Sequence, residues 1–130
     1  MIEIIAVDTN PRHLEELRWL FLSEWGKAET FESAISAVDD DEIVGGLIFT
    51  TYAVPGSDRK GLWINALAVV SEYRRQGIGS RLISTAESEA LRNNNEELYV
   101  YTDVSGLYLQ TGWIMVSEGG KHSVLKKVLN

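Results

Sequence analysis

One stretch limits this chain more than any other: an apolar, strand-like run, Leu67-Ala68-Val69-Val70, is followed by Ser71-Glu72-Tyr73 and then by Arg74-Arg75-Gln76-Gly77-Ile78-Gly79, after which a helical pattern begins at once. A strand that feeds a glycine turn and a helix start makes an anion cradle. The first turn of a helix has backbone N–H groups without intrahelical partners, and the macrodipole adds partial positive charge, so a phosphate binds there without side-chain acid–base chemistry. Gly77 and Gly79 let a ligand approach the backbone closely, since neither carries a Cβ.

Two common phosphate motifs fit poorly because of what is missing. A dinucleotide fingerprint wants a third glycine where this chain has Leu82, and an acidic residue in a set place on a following strand, so that reading is weak. A nucleoside triphosphate loop ends Gly-Lys-Ser/Thr, whereas Gly79 is followed by Ser80-Arg81.

What remains resembles motif A of the GNAT superfamily of acyl-CoA N-acyltransferases, R/Q-x-x-G-x-G/A after a strand of the form L-x-V-x-P-x-x-R. Leu67, Val69, Arg74, Gly77 and Gly79 match it, and Ser71 stands where the family usually has proline. Downstream, Leu107-Tyr108-Leu109-Gln110-Thr111-Gly112-Trp113 is similar to the family's aromatic-Tyr-x-x-x-Gly-aromatic segment, with leucine in the first place. Two independent patterns in the family's order extend the resemblance over nearly the whole chain.

The 130 residues suit a single domain, 1–130, with a core large enough to need no disulfide or metal. There is no cysteine, hence no disulfide, thiol nucleophile or Cys-based zinc site. Met1-Ile2-Glu3-Ile4-Ile5 lacks a basic leader pattern, and no apolar run approaches the roughly 20 residues of a membrane span, so the expected setting is cytoplasmic, without membrane. A formal net charge of −7 opposes a general role in nucleic-acid binding and mildly favours cationic substrates.

Along the chain, Ile2–Ala6 reads as a strand, and Asn10-Pro11 as an N-cap and first helical residue. Leu14, Leu17, Leu20, Phe21 and Trp25 recur at helical steps, and Gly26 is the stop. Residues Phe31–Ala37 fit either a short helix or an entering strand. A hairpin then turns at Asp39-Asp40-Asp41 and runs from Glu42 to Tyr52; the aspartates suit a turn better than a calcium loop. Leu62–Leu67 resumes as a strand. Ile78, Leu82, Ile83, Ala86 and Ala90 form one helical face, Leu98–Tyr101 a strand, and Gly119-Gly120 joins a closing hairpin, Trp113–Val116 with Ser123–Val128. Trp19, Trp25, Trp63 and Trp113 are expected to fill the core. His13 and His122 are too far apart for metal-ligand spacing, and no metal is expected.

This order is α+β, or mixed α/β. The resemblance implies the GNAT fold: a central, mixed, mostly antiparallel sheet with two splayed parallel strands and flanking helices. It further implies that Leu67, Ala68 and Val69 hold the pantetheine arm of acetyl-CoA through main chain, and that Arg74, Arg75, Gln76, Gly77, Ile78, Gly79 and Ser80 surround its diphosphate. The implied activity is an N-acetyltransferase that moves an acetyl group from acetyl-CoA to a primary amine of a small molecule by direct attack in a ternary complex. Tyr108 occupies the family's tyrosine position, and its phenol, with a reference pKa of about 10, is the expected acid for the leaving thiolate.

The general base stays open: relatives often carry a carboxylate on the strand before motif A, but Trp63-Ile64-Asn65-Ala66 has none. A water held by Asn65, Glu24 and Glu29 are the alternatives. Protein or peptide acceptors, at an N-terminus or a lysine, and a non-catalytic acyl-CoA-binding regulatory module are the competing functions. Family members often dimerise through terminal strands, and the closing hairpin offers an edge for a homodimer, against which Lys126-Lys127 could equally protect.

Overall fold

The computed structural model describes residues 1–130. Its elements, in chain order, are β1 (Ile2–Asp8), α1 (Pro11–Trp25), β2 (Ala34–Asp39), β3 (Glu42–Ala53), β4 (Lys60–Val69), α2 (Ile78–Arg92), β5 (Glu97–Thr102), α3 (Ser105–Leu109), β6 (Ile114–Gly119) and β7 (His122–Val128), with a one-turn 3₁₀ helix, Ser71–Tyr73, after β4. The seven strands follow the order β1-β2-β3-β4-β5-β7-β6. β4 and β5 pair in parallel at Trp63↔Tyr99 and Ile64↔Val100, and β4 runs on from there to Val69. The pairs β1–β2, β2–β3, β5–β7 and β6–β7 are antiparallel, which makes the sheet mixed. No helix is long and apolar enough to cross a membrane.

Contacts divide the chain into two compact units, Met1–Ile48 with Ala66–Ala86, and Phe49–Asn65 with Glu87–Asn130. The first is built around α1. Asn10 caps it, its side chain accepting from the N–H groups of Arg12 and His13, and Pro11 supplies the first helical φ. Gly26, at φ 72°, ends it in the left-handed conformation, its N–H bonded to the Leu22 carbonyl. Leu17 and Phe21 pack into a cluster with Ala34, Ile48 and Ala68, and Leu14 and Leu20 flank it.

Two expectations about aromatic residues are corrected here: Trp25 is 50% exposed and Trp19 62% exposed, so neither fills a core, whereas Trp63 and Trp113 are buried. Trp25, one turn beyond Phe21 at the helix end, packs against that ring with centroids 5.7 Å apart; for Trp19 the reason is angular. The buried face of α1 is narrow, carrying only His13, Leu17 and Phe21, and Trp19 lies two residues from the nearest of them, off that face.

The ambiguous stretch before the hairpin is a strand from Ala34, buried through Val38. β2 and β3 are joined by Asp40 and Asp41, both at positive φ, 50° and 68°. A two-residue hairpin loop of the I′ type requires this at both positions, and aspartate tolerates it better than most residues. The Gly45-Gly46 pair then permits close packing: a Cβ on Gly45 would come within 2.9 Å of the Ala68 carbonyl, and one on Gly46 within 2.8 Å of Leu17.

A buried charge network fixes the start of α1. His13 Nδ1 lies 2.8 Å from Asp8 Oδ2, and Nε2 2.9 Å from Asp41 Oδ1. Two carboxylates on the two ring nitrogens require both to carry hydrogen, so the imidazole is held as a cation. Burial alone would lower its pKa, but the hydrogen bonds to Asp41 and Asp8, with the charges of both, outweigh that and raise it above the ordinary histidine value. Arg12 adds an ion pair to Asp41 and another to Glu16.

The second unit packs aromatics. Trp63 stacks on Tyr99 with ring centroids 5.2 Å apart and meets Tyr52 edge-on at 6.2 Å. Beside them Glu97 accepts from Arg59 (2.8 Å), Tyr99 (3.0 Å) and Lys126 (3.1 Å). The face of α2 expected from periodicity is observed: Ile78, Leu82, Ile83, Ala86 and Ala90 are all buried.

Candidate active site

In the first unit β4 ends at Val69, and the chain turns through the 3₁₀ helix into α2. Ala68 is buried in the α1 cluster, while Leu67 and Val69 are half-buried. The turn is tied down at three points. The Val70 N–H donates to the Val44 carbonyl at 2.8 Å. The Tyr73 hydroxyl donates to Asp39 Oδ2 at 2.9 Å, a bond that also raises the phenol's pKa and helps lower that of Asp39, whose largest stabilisation comes from the N-terminal ammonium. Arg74 bonds the Val69 carbonyl through Nε at 3.0 Å and forms an ion pair with Glu24 through Nη2.

Beyond these anchors the backbone opens toward solvent. Arg75 and Gly77 have positive φ, 65° and 79°, on either side of Gln76. Alternating hands of this kind turn successive N–H groups toward one concavity, the geometry of an anion nest. Hydrogen bonding in the turn ends with Arg74 N–H to the Ser71 carbonyl and resumes with Arg81 N–H to the Gly77 carbonyl, so the N–H groups from Arg75 to Ser80 take no acceptor from the turn itself. A Cβ on Gly77 would meet nothing within 4 Å: the space over it is open. Arg75, Gln76 and Gly77 are exposed, Gly79 and Ser80 half-buried, and Ile78 is buried under the helix start. A nest of this kind can hold an anion through main chain, and the exposed Arg75 side chain stands beside it.

The Arg74 guanidinium, expected to meet the diphosphate, is engaged in this structure by Glu24 and the Val69 carbonyl. Glu24, considered from the sequence as a base, is this arginine's partner. Glu29 and Asn65 are exposed.

In the second unit Tyr108 lies on the five-residue α3 and is among the most deeply buried side chains, 2% exposed. Its ring meets Trp113 edge-on at 5.0 Å. Its carbonyl accepts from the Thr111 N–H at 3.1 Å and from the Thr111 hydroxyl at 3.2 Å, closing the turn that Gly112, at φ 90°, completes. Trp113 Nε1 donates to Glu87 Oε2 at 3.1 Å. Burial raises the Tyr108 pKa well above the ordinary phenol value, so the hydroxyl keeps its proton throughout the neutral range. Tyr99 is buried in the aromatic cluster, and Tyr101, 61% exposed, stacks on His122 with centroids 4.7 Å apart.

The tethers Glu24–Arg74 and Asp39–Tyr73 carried no sequence signal, because their partners stand 50 and 34 residues apart. The positive φ at Arg75 was equally hidden, since arginine is not a residue that marks it.

The fold is shared widely among solved structures. NAA60 of Arabidopsis thaliana, in complex with a bisubstrate analogue, aligns over 100% of this chain and 99% of its own, at 17% identity with a TM-score of 0.80. Ard1 from Thermoplasma volcanium aligns over 99% of this chain and 98% of its own, at 16% identity and a TM-score of 0.73. N-acetylglutamate synthase from Neisseria gonorrhoeae, complexed with coenzyme A and N-acetyl-glutamate, matches 100% of this chain with 35% of its own, at 16% identity and a TM-score of 0.72. No curated protein matches the sequence. A model of the acetyltransferase (GNAT) family matches residues 1–112, which takes in the strand–nest–helix and the tyrosine segment as far as Gly112. With most of its length matched in this way, the chain belongs to the GNAT acetyltransferase family and is a transferase enzyme.

Proposed function

We propose that the protein is an acetyl-CoA-dependent N-acetyltransferase acting on a primary amine of a small molecule, by direct attack in a ternary complex. The observation that carries the cosubstrate is the nest: N–H groups from Arg75 to Ser80 without an acceptor in the turn, at the start of α2, under the open space at Gly77. Such a site suits a diphosphate better than a single carboxylate, because it offers several donors in sequence and the positive end of a helix. The structures of relatives that hold coenzyme A are consistent with this assignment.

In the reaction the amine nitrogen bonds to the thioester carbonyl carbon, the carbon–sulfur bond breaks, the amine loses a proton, and the sulfur leaves with the electron pair. Leu67, Ala68 and Val69 orient the thioester arm through main chain. Tyr108 supports the leaving sulfur. With its pKa raised by burial, it is a poor acid for complete proton transfer to the thiolate and a fully populated hydrogen-bond donor instead. No carboxylate stands on β4 beside Asn65 to accept the amine's proton, so a water is the simplest acceptor.

The test is acceptor-dependent thiol release from acetyl-CoA across polyamines, aminoglycosides, amino acids and short peptides. Release with small amines supports the proposal, and release with peptides alone moves the acceptor to a protein. Coenzyme A binding without any turnover leaves a regulatory module. Tyr108→Phe should lower kcat by roughly 10²-fold with little change in acetyl-CoA affinity. An unchanged kcat removes Tyr108 from the chemistry.

A further inference from the structure

The Arg74–Glu24 pair lies at the mouth of the nest and is given no role by the reaction above. Three observations bear on it. Arg74 directly precedes the segment whose N–H groups are open, and its Nε is fixed on the Val69 carbonyl, so the guanidinium is held at the turn. Its outer edge, Nη2, meets a single carboxylate, Glu24, from the last turn of α1. Both members are well exposed, 51% for Arg74 and 34% for Glu24, so the pair is cheap to break.

A guanidinium has five donors and binds phosphate oxygens at least as readily as a carboxylate. A diphosphate seated on residues 75–80 brings more negative charge to Arg74 than Glu24 does. We propose that Glu24 is an internal competitor for the cosubstrate: its carboxylate holds Arg74 in the free protein, and binding of the diphosphate of coenzyme A transfers Nη2 from Glu24 to a phosphate oxygen while Nε keeps its bond to Val69. Glu24 is thus a positioning residue acting through Arg74. The inference rests on the nest being the diphosphate site. It makes coenzyme A affinity depend on a side chain that never touches the ligand, and it leaves the Glu24 carboxylate unpaired only in the loaded enzyme.

A double-mutant cycle on coenzyme A binding, followed by calorimetry, tests this. Glu24→Gln should tighten binding by about two- to fivefold, the range an exposed pair can return. Arg74→Gln should weaken it. In the Arg74→Gln background, adding Glu24→Gln should change nothing, because the competitor has lost its target. Unchanged or weaker binding by Glu24→Gln overturns the exchange and makes the pair a structural strut. The same tightening in both backgrounds also overturns it, since that is the general effect of removing one negative charge near an anion site; Glu29→Gln measures that effect independently. If the wild-type protein fails to bind coenzyme A, the diphosphate assignment falls, and the exchange with it. Binding with a flat cycle removes the exchange alone.

Discussion

The two units each gather charges around one residue, in opposite ways. In the first, a cation lies at the centre: His13, its side chain 4% exposed, between Asp8, 3% exposed, and Asp41. In the second, an anion lies at the centre: Glu97, 22% exposed, among Arg59, Lys126 and the Tyr99 hydroxyl. The His13 network spans β1, α1 and the β2–β3 turn; that of Glu97 ties the residue before β4 to β5 and β7. Burial sets what each is worth. His13 and Asp8 are nearly shut off from water and depend on each other, with the exposed Asp41 on the other ring nitrogen, whereas the partners of Glu97 keep enough solvent to survive alone.

The largest expected effect follows from that difference. Asp8→Ala leaves a buried cation with one of its two partners and should cost about 3 kcal/mol in denaturant unfolding. Arg59→Ala, removing an exposed partner of Glu97 while Lys126 and Tyr99 remain, should cost far less. Equal losses would break the comparison, and a loss well below that for Asp8→Ala would mean that His13 sheds its proton.

The pH dependences should run in opposite directions. The folded pKa of His13 is raised, so its contribution is complete below the unfolded value of about 6.5 and is lost as pH rises through the folded value. Glu97 is held down at about 2, first by Arg59 and then by Lys126. Its contribution is complete above the unfolded value and is lost as pH falls toward 2. Stability measured against pH should show the gap between wild type and His13→Gln closing on the alkaline side, and the gap between wild type and Glu97→Gln closing on the acid side. A gap that does not vary with pH in either case would make that network a matter of packing.

The smallest effect sharpens the same point about unsatisfied polarity. Ser36, opposite Gly46 in the β2–β3 ladder, is fully buried, and its hydroxyl has no partner. Ser36→Ala should leave stability unchanged or raise it by up to about 1 kcal/mol, read from the thermal midpoint. A loss would reveal a partner for that hydroxyl.

Much of the fold was legible in the chain because its signals are local. Asn10-Pro11 and Gly26 bound α1 through backbone preferences that act within a few residues. The aspartates at 40 and 41 turn a hairpin by the same means, and the spacing of Ile78, Leu82, Ile83, Ala86 and Ala90 announces a helix face whatever it packs against. The glycine pattern after Val69 marks the nest, since open N–H groups at a helix start follow from chain geometry alone. The family could be named from the same stretch only together with the second pattern at Leu107–Trp113.

What the sequence could not determine is which charged and aromatic side chains meet. Trp19 and Trp25 are as apolar as Trp63, yet only the last finds a buried surface. His13 stands 28 residues from Asp41 and looks like an isolated histidine until the hairpin turn is folded over the helix start. Arg74, marked by its motif for a phosphate, is held by a carboxylate 50 residues before it. Local patterns act through backbone torsions and periodicity, which neighbours in the chain decide. Ion pairs, burial and pKa depend on distances across space, which exist only once the strands and helices have packed.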